Sequence, residues 1–414
     1  MQLTPVLLRM AEEGLTIDQD YAEKLNEKWK KREQELKNAC GGIDIWSGHE
    51  IGKVLASEGV TVPKTPKTKR YSVDKHFLAS LSSSSVYARD LLELRGMNRT
   101  REVYLEKNML IGLHRGRVHP QYVQIARDDG GTRTGRLACK QPNFQQIPKR
   151  SRIFDASLIR HCVVPEKGSK WVKSDYRSQE IVIQVHYGLA LGFGGAEEVA
   201  ATLAKGEKLY HYIEKATDGR INYDQAKAVV LGRSYGMGKD KMAHDLNIGF
   251  DECGDILERF DEIVPFIAKT SGKVEKLAQR HGYLKGLMGR RRHFNTWEPK
   301  VSWADRDNFI EQFGEIQPMS KEKCAERFPN YMPIRAQVRK AYNALIQGGG
   351  ATQTKKAMVD AFRAGIMPRL QVHDEINFVI EHRTQAKQIE EIMCDAIKLR
   401  LPVTVDIDVG DHWV

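Results

Sequence analysis

The chain has 414 residues, 41% of them hydrophobic and 29% charged, with a net charge of +11. That length supports a large core and two or three sub-domains, and the basic excess points to a polyanionic partner, either nucleic acid or an anionic membrane surface. The six cysteines (Cys40, Cys139, Cys162, Cys253, Cys324 and Cys394) are scattered without a Cys-x-x-Cys pair, which argues against a zinc site or a disulfide framework and fits reduced thiols. No apolar run is long enough to span a bilayer. The segment Met1–Glu13 lacks a basic-then-apolar signal pattern, so the expectation is a protein without a membrane partner that stays where it is made.

In chain order, Leu3 to about Asn38 reads as helical, and its charged run from Tyr21 to Lys37 reads as a solvated helix face. Pro63–Arg70 is a basic loop punctuated by proline, either a solvated linker or a loop that grips phosphates. Ser72 to about Leu110 reads as helical again and carries Arg95, Arg99 and Arg101. Thr134–Pro148 is polar and turn-rich, so an ordered loop is expected. Its Asn, Gln and Arg side chains suit hydrogen bonding to base edges and sugars.

Trp171–Ser174 reads as a short strand that delivers Asp175. Asn222 is a good N-cap and Gln225 stands three residues on, as in a capping box. Lys227, Leu231 and Tyr235 then recur at intervals of four on one broad face, and Gly236 ends the pattern. Leu370–Ile380 reads as a hairpin with Asp374 and Glu375 at its tip. In isolation the aspartates are ordinary turn residues, and the helix is an ordinary amphipathic one with Leu and Tyr in a core. Together, two separated aspartates and a lysine-bearing helix are the parts needed to hold divalent metals around a nucleoside triphosphate.

Three segments, Ser174-Asp-Tyr-Arg-Ser-Gln-Glu180, Lys227-x3-Leu231-x3-Tyr235-Gly236 and Gln371-Val-His-Asp-Glu375, resemble motifs A, B and C of the family A DNA polymerases. That family comprises bacterial DNA polymerase I and its phage relatives. Further matches are Ser47–Leu55 with the lysine-threonine loop, Thr134-Gly-Arg-Leu with Pro142-Asn-Phe-Gln-Gln-Ile-Pro148, Gly282-Tyr-Leu with Gly289-Arg-Arg-Arg292, Arg339–Gly348, and Val405–Trp413. Nearly the whole chain is covered except 295–336, which reads as an insertion of unknown role.

The resemblance implies an α/β (α+β) right hand with a small antiparallel palm sheet carrying the metal site. Residues 1–115 would be thumb, 116–195 the first part of the palm, 196–344 fingers and 345–414 the second part of the palm. It implies template-directed addition of dNTPs to a primer 3′-hydroxyl with two Mg²⁺ ions, Mn²⁺ being a substitute. Asp175, Asp374 and the Tyr176 carbonyl would be the metal ligands. Glu375 would be a weaker or more distant participant, and Lys227 would neutralise the triphosphate. Glu180, His211, Leu231 and Tyr235 would complete the dNTP site, with Glu180 excluding a ribose 2′-hydroxyl. Arg136, Asn143, Gln145, Arg339, Asn343, Gln347 and His373 would meet the primer–template, and the triple arginine the template phosphates. A bacterial or phage-infected cytoplasm follows, with a separate exonuclease, helicase or processivity factor as candidate partners. No proofreading is expected of this chain, because thumb-like sequence begins almost at Met1.

The family usually has an arginine four residues before the motif B lysine, where this chain has Tyr223, and Phe or Tyr four residues after it, where this chain has Leu231. Arg220 or Arg233 is the expected substitute for the arginine. The shuffled order Arg-Ser-Gln after Tyr176 leaves Gln179 without an expected role. The rival readings are a single-subunit RNA polymerase, which Glu180 opposes, and an inactive DNA-binding accessory protein, which Asp175, Asp374 and Lys227 oppose.

Overall fold

A computed structural model describes residues 2–65, 68–124, 132–149, 151, 153–302 and 304–413. The chain opens with α1 (Thr4–Glu13), β1 (Leu15–Ile17) and α2 (Gln19–Ala39). The continuous helix expected over this stretch is interrupted: Gly14 turns with φ +62°, and Leu15–Ile17 is drawn into a sheet with residues 117–118 and 163–164. Helices α3 (Gly48–Ser57), α4 (Lys75–Leu81) and α5 (Val86–Arg99) follow, then a π-helical stretch, Thr100–Ile111. Ser47, Asp74 and Ser85 cap the three helices through their side chains. Ile51, Leu55, Leu78 and Leu91 form their common core. Two residues of the basic loop, Pro66 and Lys67, lie outside the described residues. Arg101 is buried rather than presented to solvent. It bonds Glu33 Oε1 (2.7 Å) and Glu106 Oε2 (2.7 Å), tying α2 to the π-helical stretch.

Next come β2 (Arg117–Val118), β3 (Gln121–Val123), β4 (Ala138–Lys140), β5 (Val163–Val164) and β6 (Lys170–Tyr176). The expected loop over Thr134–Pro148 therefore contains a strand, β4, paired with β3, and a 3-10 turn, Phe144–Gln146. Phe144 and Ile147 supply the reason, since both sink into the core beside Trp171 and Trp413.

A helical block follows: α6 (Gln179–Leu191), α7 (Ala196–Ala204), α8 (Leu209–Ala216), α9 (Tyr223–Ser234), α10 (Lys239–Leu246), α11 (Phe250–Ile263) and α12 (Pro265–His281). These share a core that includes Ile183, Ile213, Val229, Phe260, Phe266 and Tyr342. The hairpin β7 (Tyr283–Lys285) and β8 (Arg291–His293) leads to a small unit of β9 (Trp297–Pro299), α13 (Arg306–Phe313), α14 (Lys321–Arg327) and β10 (Pro333–Arg335). That unit has its own core of Phe309, Cys324 and Phe328, with Phe313 and Tyr331 against it. Strands β9 and β10 pair antiparallel and close it. The chain ends with α15 (Ala341–Arg363), β11 (Pro368–Val372), β12 (Glu375–Ile380), α16 (Thr384–Asp395) and β13 (Val405–Gly410).

The main sheet has the order β11-β12-β6-β13, antiparallel throughout. The period-two alternation of side chains divides it into two unlike faces. Val172, Tyr176, Ile376, Phe378 and Val405 face the core formed with α1, α15 and α16. Lys173, Asp175, Glu375, Asn377, Asp406 and Asp408 share the opposite face by register. Strand β13 is an edge whose two aspartates are neutralised by Arg177 (with Asp406) and Lys173 (with Asp408), a charged edge that discourages pairing with another chain.

Candidate active site

Strand β6 is central, so its register fixes Asp175 between Glu375 on β12 and Asp406 on β13. The tight β11–β12 turn places Asp374 beside the end of β6, and the Tyr176 N–H donates to the Asp374 carbonyl (3.4 Å). His373 makes that turn with φ +58° and is exposed. Thus β6 and the β11–β12 turn bring together two aspartates 199 positions apart in sequence. Burial, then Asp374 and Glu375, push the Asp175 carboxyl up to about 7. Burial likewise raises Asp374. Carboxyls that resist ionising beside one another are those whose charge a cation would compensate.

Glu375 occupies a different environment. It was expected at the hairpin tip, but it is the first residue of β12 and only 4% exposed. Its Oε1 accepts from Asn377 Nδ2 (2.8 Å) and Trp413 Nε1 (2.9 Å), and Arg160 Nη1 lies 3.9 Å from Oε2. The Arg160 guanidinium also stacks over the Trp413 ring at 4.1 Å. Asn377 in turn accepts from Trp171 Nε1 (2.9 Å). Sequence reading missed Asn377, Trp413 and Arg160. The one local signal was an asparagine inside the apolar run Ile376–Ile380.

Helix α9 has both halves of the expected capping box, with Asn222 Oδ1 accepting from the Gln225 N–H and Gln225 Oε1 from the Asn222 N–H. It ends at Ser234, and Gly236 follows in a left-handed conformation. Its core face is Ala226, Val229 and Val230. Lys227 and Tyr235 are exposed and Leu231 half-buried, so the four-residue series lines an open surface rather than a core. His211 on α8 packs against this helix, its ring 4.6 Å from that of Tyr223 and its Nδ1 3.4 Å from Glu214. Arg233, one of the two expected substitutes for the missing arginine, is already paired with Asp261. Arg220 is exposed.

A chain of polar contacts joins the loop before β4 to α6, the end of α9 and α15. Arg136 Nη2 donates to Glu180 Oε1 (2.5 Å), the Tyr235 hydroxyl to Glu180 Oε2 (3.4 Å), and Gln347 Nε2 to the Tyr235 hydroxyl (3.0 Å). Glu180 thus sits against Tyr235, as the motifs suggested. Arg339 lies in a 3-10 turn before α15, whereas Asn343 and Gln347 lie on the helix itself. The single helical face expected for the three is therefore broken at Arg339. Asn143 caps the 3-10 turn by accepting from the Gln145 N–H (3.0 Å), and Gln145 Nε2 donates to Gln371 Oε1 (2.9 Å). Gln179, to which no role was given, is buried and donates to Gly350 O, Gln353 Oε1 and Thr354 Oγ1 at 3.1–3.3 Å. It pins α6 to α15. A Cβ on residue 350 would lie 2.5 Å from its Oε1, so any side chain there would push the Gln179 amide out of these bonds.

The family profile "DNA polymerase family A" matches residues 16–414, and the chain belongs to that family. It is 29% identical over 472 residues to a DNA-directed DNA polymerase of Pseudomonas phage M6, covering 100% of this chain and 65% of that protein. It is 26% identical to the thermostable DNA polymerase I of Thermus aquaticus, covering 47% of that enzyme. The chain thus spans less than two thirds of either relative. Among solved structures, the polymerase domain of Pol1 from M. smegmatis, in complex with DNA primer-template and dNTP, superposes with a TM-score of 0.78 at 24% identity, over 99% of this chain and 69% of that one. No helix among the described residues is long and apolar enough to cross a membrane.

Proposed function

We propose that this chain carries out template-directed DNA synthesis, joining deoxynucleotides to a primer 3′-hydroxyl with release of pyrophosphate. The observation that carries the reading is the convergence of Asp175 and Asp374 at one end of the sheet, with Arg136 near enough to Asp374 to act on its charge and bonded through Glu180 to Tyr235 at the end of α9. Residues 1–115 would act as thumb, 116–195 and 345–414 as palm, and 196–344 as fingers.

Among the described residues no three His, Cys, Asp or Glu side chains form a ready metal cage. The donor set still fits Mg²⁺, which favours one or two carboxylates plus substrate phosphates over an all-protein cage. Asp175 and Asp374 would hold it, with the Tyr176 carbonyl as a further hard oxygen. When bound, the metal supplies Lewis-acid neutralisation of charge at the transferring phosphate.

The chain's own residues do the rest. Lys227 neutralises the triphosphate and can give a proton to the departing pyrophosphate. His211, held between Glu214 and Tyr223, is positioned for a phosphate oxygen. Tyr235 offers a flat face to the incoming base. Glu180 is fixed from two sides by Arg136 and Tyr235, and so fills the space a 2′-hydroxyl would need. Arg136, Asn143, Gln145, Arg339, Asn343, Gln347 and His373 line the route to the duplex. Glu375 sits behind the aspartates and orients the turn that carries Asp374. Incubating the purified chain with primed template, Mg²⁺ and either dNTPs or NTPs tests the reading. Extension with dNTPs alone is expected, whereas extension only with NTPs, or none, would overturn it.

A further inference from the structure

Helix α6 begins without a local fastening. Ser178 precedes it in a left-handed conformation (φ +53°), and its side chain caps nothing. A backbone state of that kind persists where surrounding contacts impose it. Here they come from the first residue of the helix. Gln179 is 6% exposed, and its Nε2 donates to Gly350 O (3.3 Å), Gln353 Oε1 (3.1 Å) and Thr354 Oγ1 (3.2 Å) on α15. Gln353 and Thr354 are buried as well, and Gln353 Nε2 finds no hydrogen-bond partner among the described residues. The helices approach closely at this point, since a Cβ at position 349 would lie 3.1 Å from Ile183 Cγ2. Apolar side chains could cover the same contact without leaving a donor unpaired, so stability alone does not account for the amides. What a buried amide network adds is a single arrangement that satisfies it, where an apolar contact can slide.

The residue after this clasp is Glu180. Its carboxylate lies against the Tyr235 hydroxyl (3.4 Å), and Gln347 holds that hydroxyl in turn (3.0 Å). Gln347 and Gln353 belong to one helix, α15, so the contacts close into a circuit. Through Gln347, α15 reaches Tyr235. Through Gly350, Gln353, Thr354 and Gln179, it reaches the backbone that carries Glu180. Both sides of the Glu180–Tyr235 contact are thereby referred to the same stiff rod. Arg136 touches only the far end of the Glu180 side chain, which orients the carboxylate but leaves the position of its backbone to the clasp. The width of the contact is the space into which a sugar 2′-hydroxyl would have to fit.

We infer that Gln179 is a positioning residue: its amide clasp on Gly350, Gln353 and Thr354 fixes the gap between Glu180 and Tyr235, and so sets how strictly a ribonucleotide is refused. This role rests on Glu180 rejecting the 2′-hydroxyl, so Glu180→Ala is assayed alongside. The double variant Gln179→Leu with Gln353→Leu replaces both amides by apolar side chains of similar size, an exchange close to neutral for stability. The Thr354 hydroxyl can then turn to the Gly350 carbonyl within its own helix. The double variant melts within a few degrees of the parent. Single-nucleotide insertion on a fixed primer–template gives kcat and KM for dCTP and CTP. In the double variant kcat/KM for CTP rises about three- to tenfold while that for dCTP changes less than about twofold, a part of the roughly 10–200-fold that exclusion of one small group can supply. Thr354→Val keeps the shape, removes one acceptor and shifts the ratio the same way to a smaller degree, and it decides the matter if the double variant does not fold. A purely structural role would lower dCTP and CTP insertion together and leave their ratio unchanged. Adding Glu180→Ala to the double variant leaves the ratio where Glu180→Ala alone puts it, because the clasp acts through that carboxylate. An unchanged ratio in the folded variants, or effects that add to those of Glu180→Ala, would overturn the positioning role while leaving the gate in place. An unchanged ratio in Glu180→Ala would overturn the gate and the clasp with it, and a parent chain that extends no primer would overturn the polymerase reading on which both depend.

Discussion

Glu180→Ala separates sugar selection from stability. In the structure, Glu180 accepts from Arg136 at 2.5 Å and from Tyr235 at 3.4 Å. The Glu180 and Arg136 side chains are 20% and 32% exposed, so solvent screens their pairing and its loss costs about 1 kcal/mol or less. Tyr235 keeps its bond from Gln347. The variant is therefore expected to melt within a few degrees of the parent. The space vacated beside Tyr235 is about the size of a carboxylate, enough for a 2′-hydroxyl. Steric rejection of one small group is worth roughly 1–3 kcal/mol, a factor of about 10–200, and the dNTP/NTP ratio of kcat/KM should fall by that amount. Single-nucleotide insertion on a fixed primer–template, run in parallel with dCTP and CTP, measures it. A folded variant with unchanged discrimination would refute the reasoning, and a variant that loses dNTP insertion to the same degree would show that Glu180 shapes the whole site rather than the sugar pocket.

Asp374→Ala should lower single-turnover insertion by about a thousandfold or more, since metal neutralisation is worth several kcal/mol, while primer–template affinity without metal stays near the parent value. Asn377→Leu leaves Trp171 Nε1 without its acceptor and Glu375 Oε1 with one donor fewer. Two buried groups short of a partner cost about 2–5 kcal/mol, to be read as a large drop in melting temperature, and Asn377→Gln should not rescue it because the pocket is closed. Tyr223→Arg should lower KM for dNTP by restoring a bidentate phosphate contact. Arg220→Ala should raise KM if that exposed cation now serves the triphosphate, and Arg233→Ala should act on stability through Asp261, not on KM. Lys355 has a folded pKa depressed to about 8 from 10.5, so its charged form opposes folding below that value and the opposition fades as pH rises from about 8 to 10.5. Lys355→Met should therefore stabilise the DNA-free chain at pH 7 and lose that advantage by pH 10.5, as thermal melts across this range would reveal.

Local rules were enough for features whose cause is local. The capping box at Asn222 and Gln225, the stop at Gly236, the strand leading to Asp175 and the existence of a hairpin turn at Asp374 each depend on a few neighbouring residues, and the sequence showed them, though it placed that turn one residue late. The order of the motifs was also legible, and with it the family. What tertiary structure decided was every feature set by partners distant in the chain. Gly14–Ile17 left a helical pattern because a sheet was available at residues 117–118 and 163–164. Glu375 moved from an expected tip to a buried position because Trp413 and Asn377 supply donors there. Arg233 was removed from the candidate phosphate ligands by Asp261, 28 positions away. Arg136, Glu180, Tyr235 and Gln347 became one hydrogen-bonded chain only when four segments packed together. Spacing in sequence can put residues on a face, but burial and cross-chain register decide which of those faces meet, which is why Asp175 and Asp374 could be singled out from the sequence while the side chains packed around them could not.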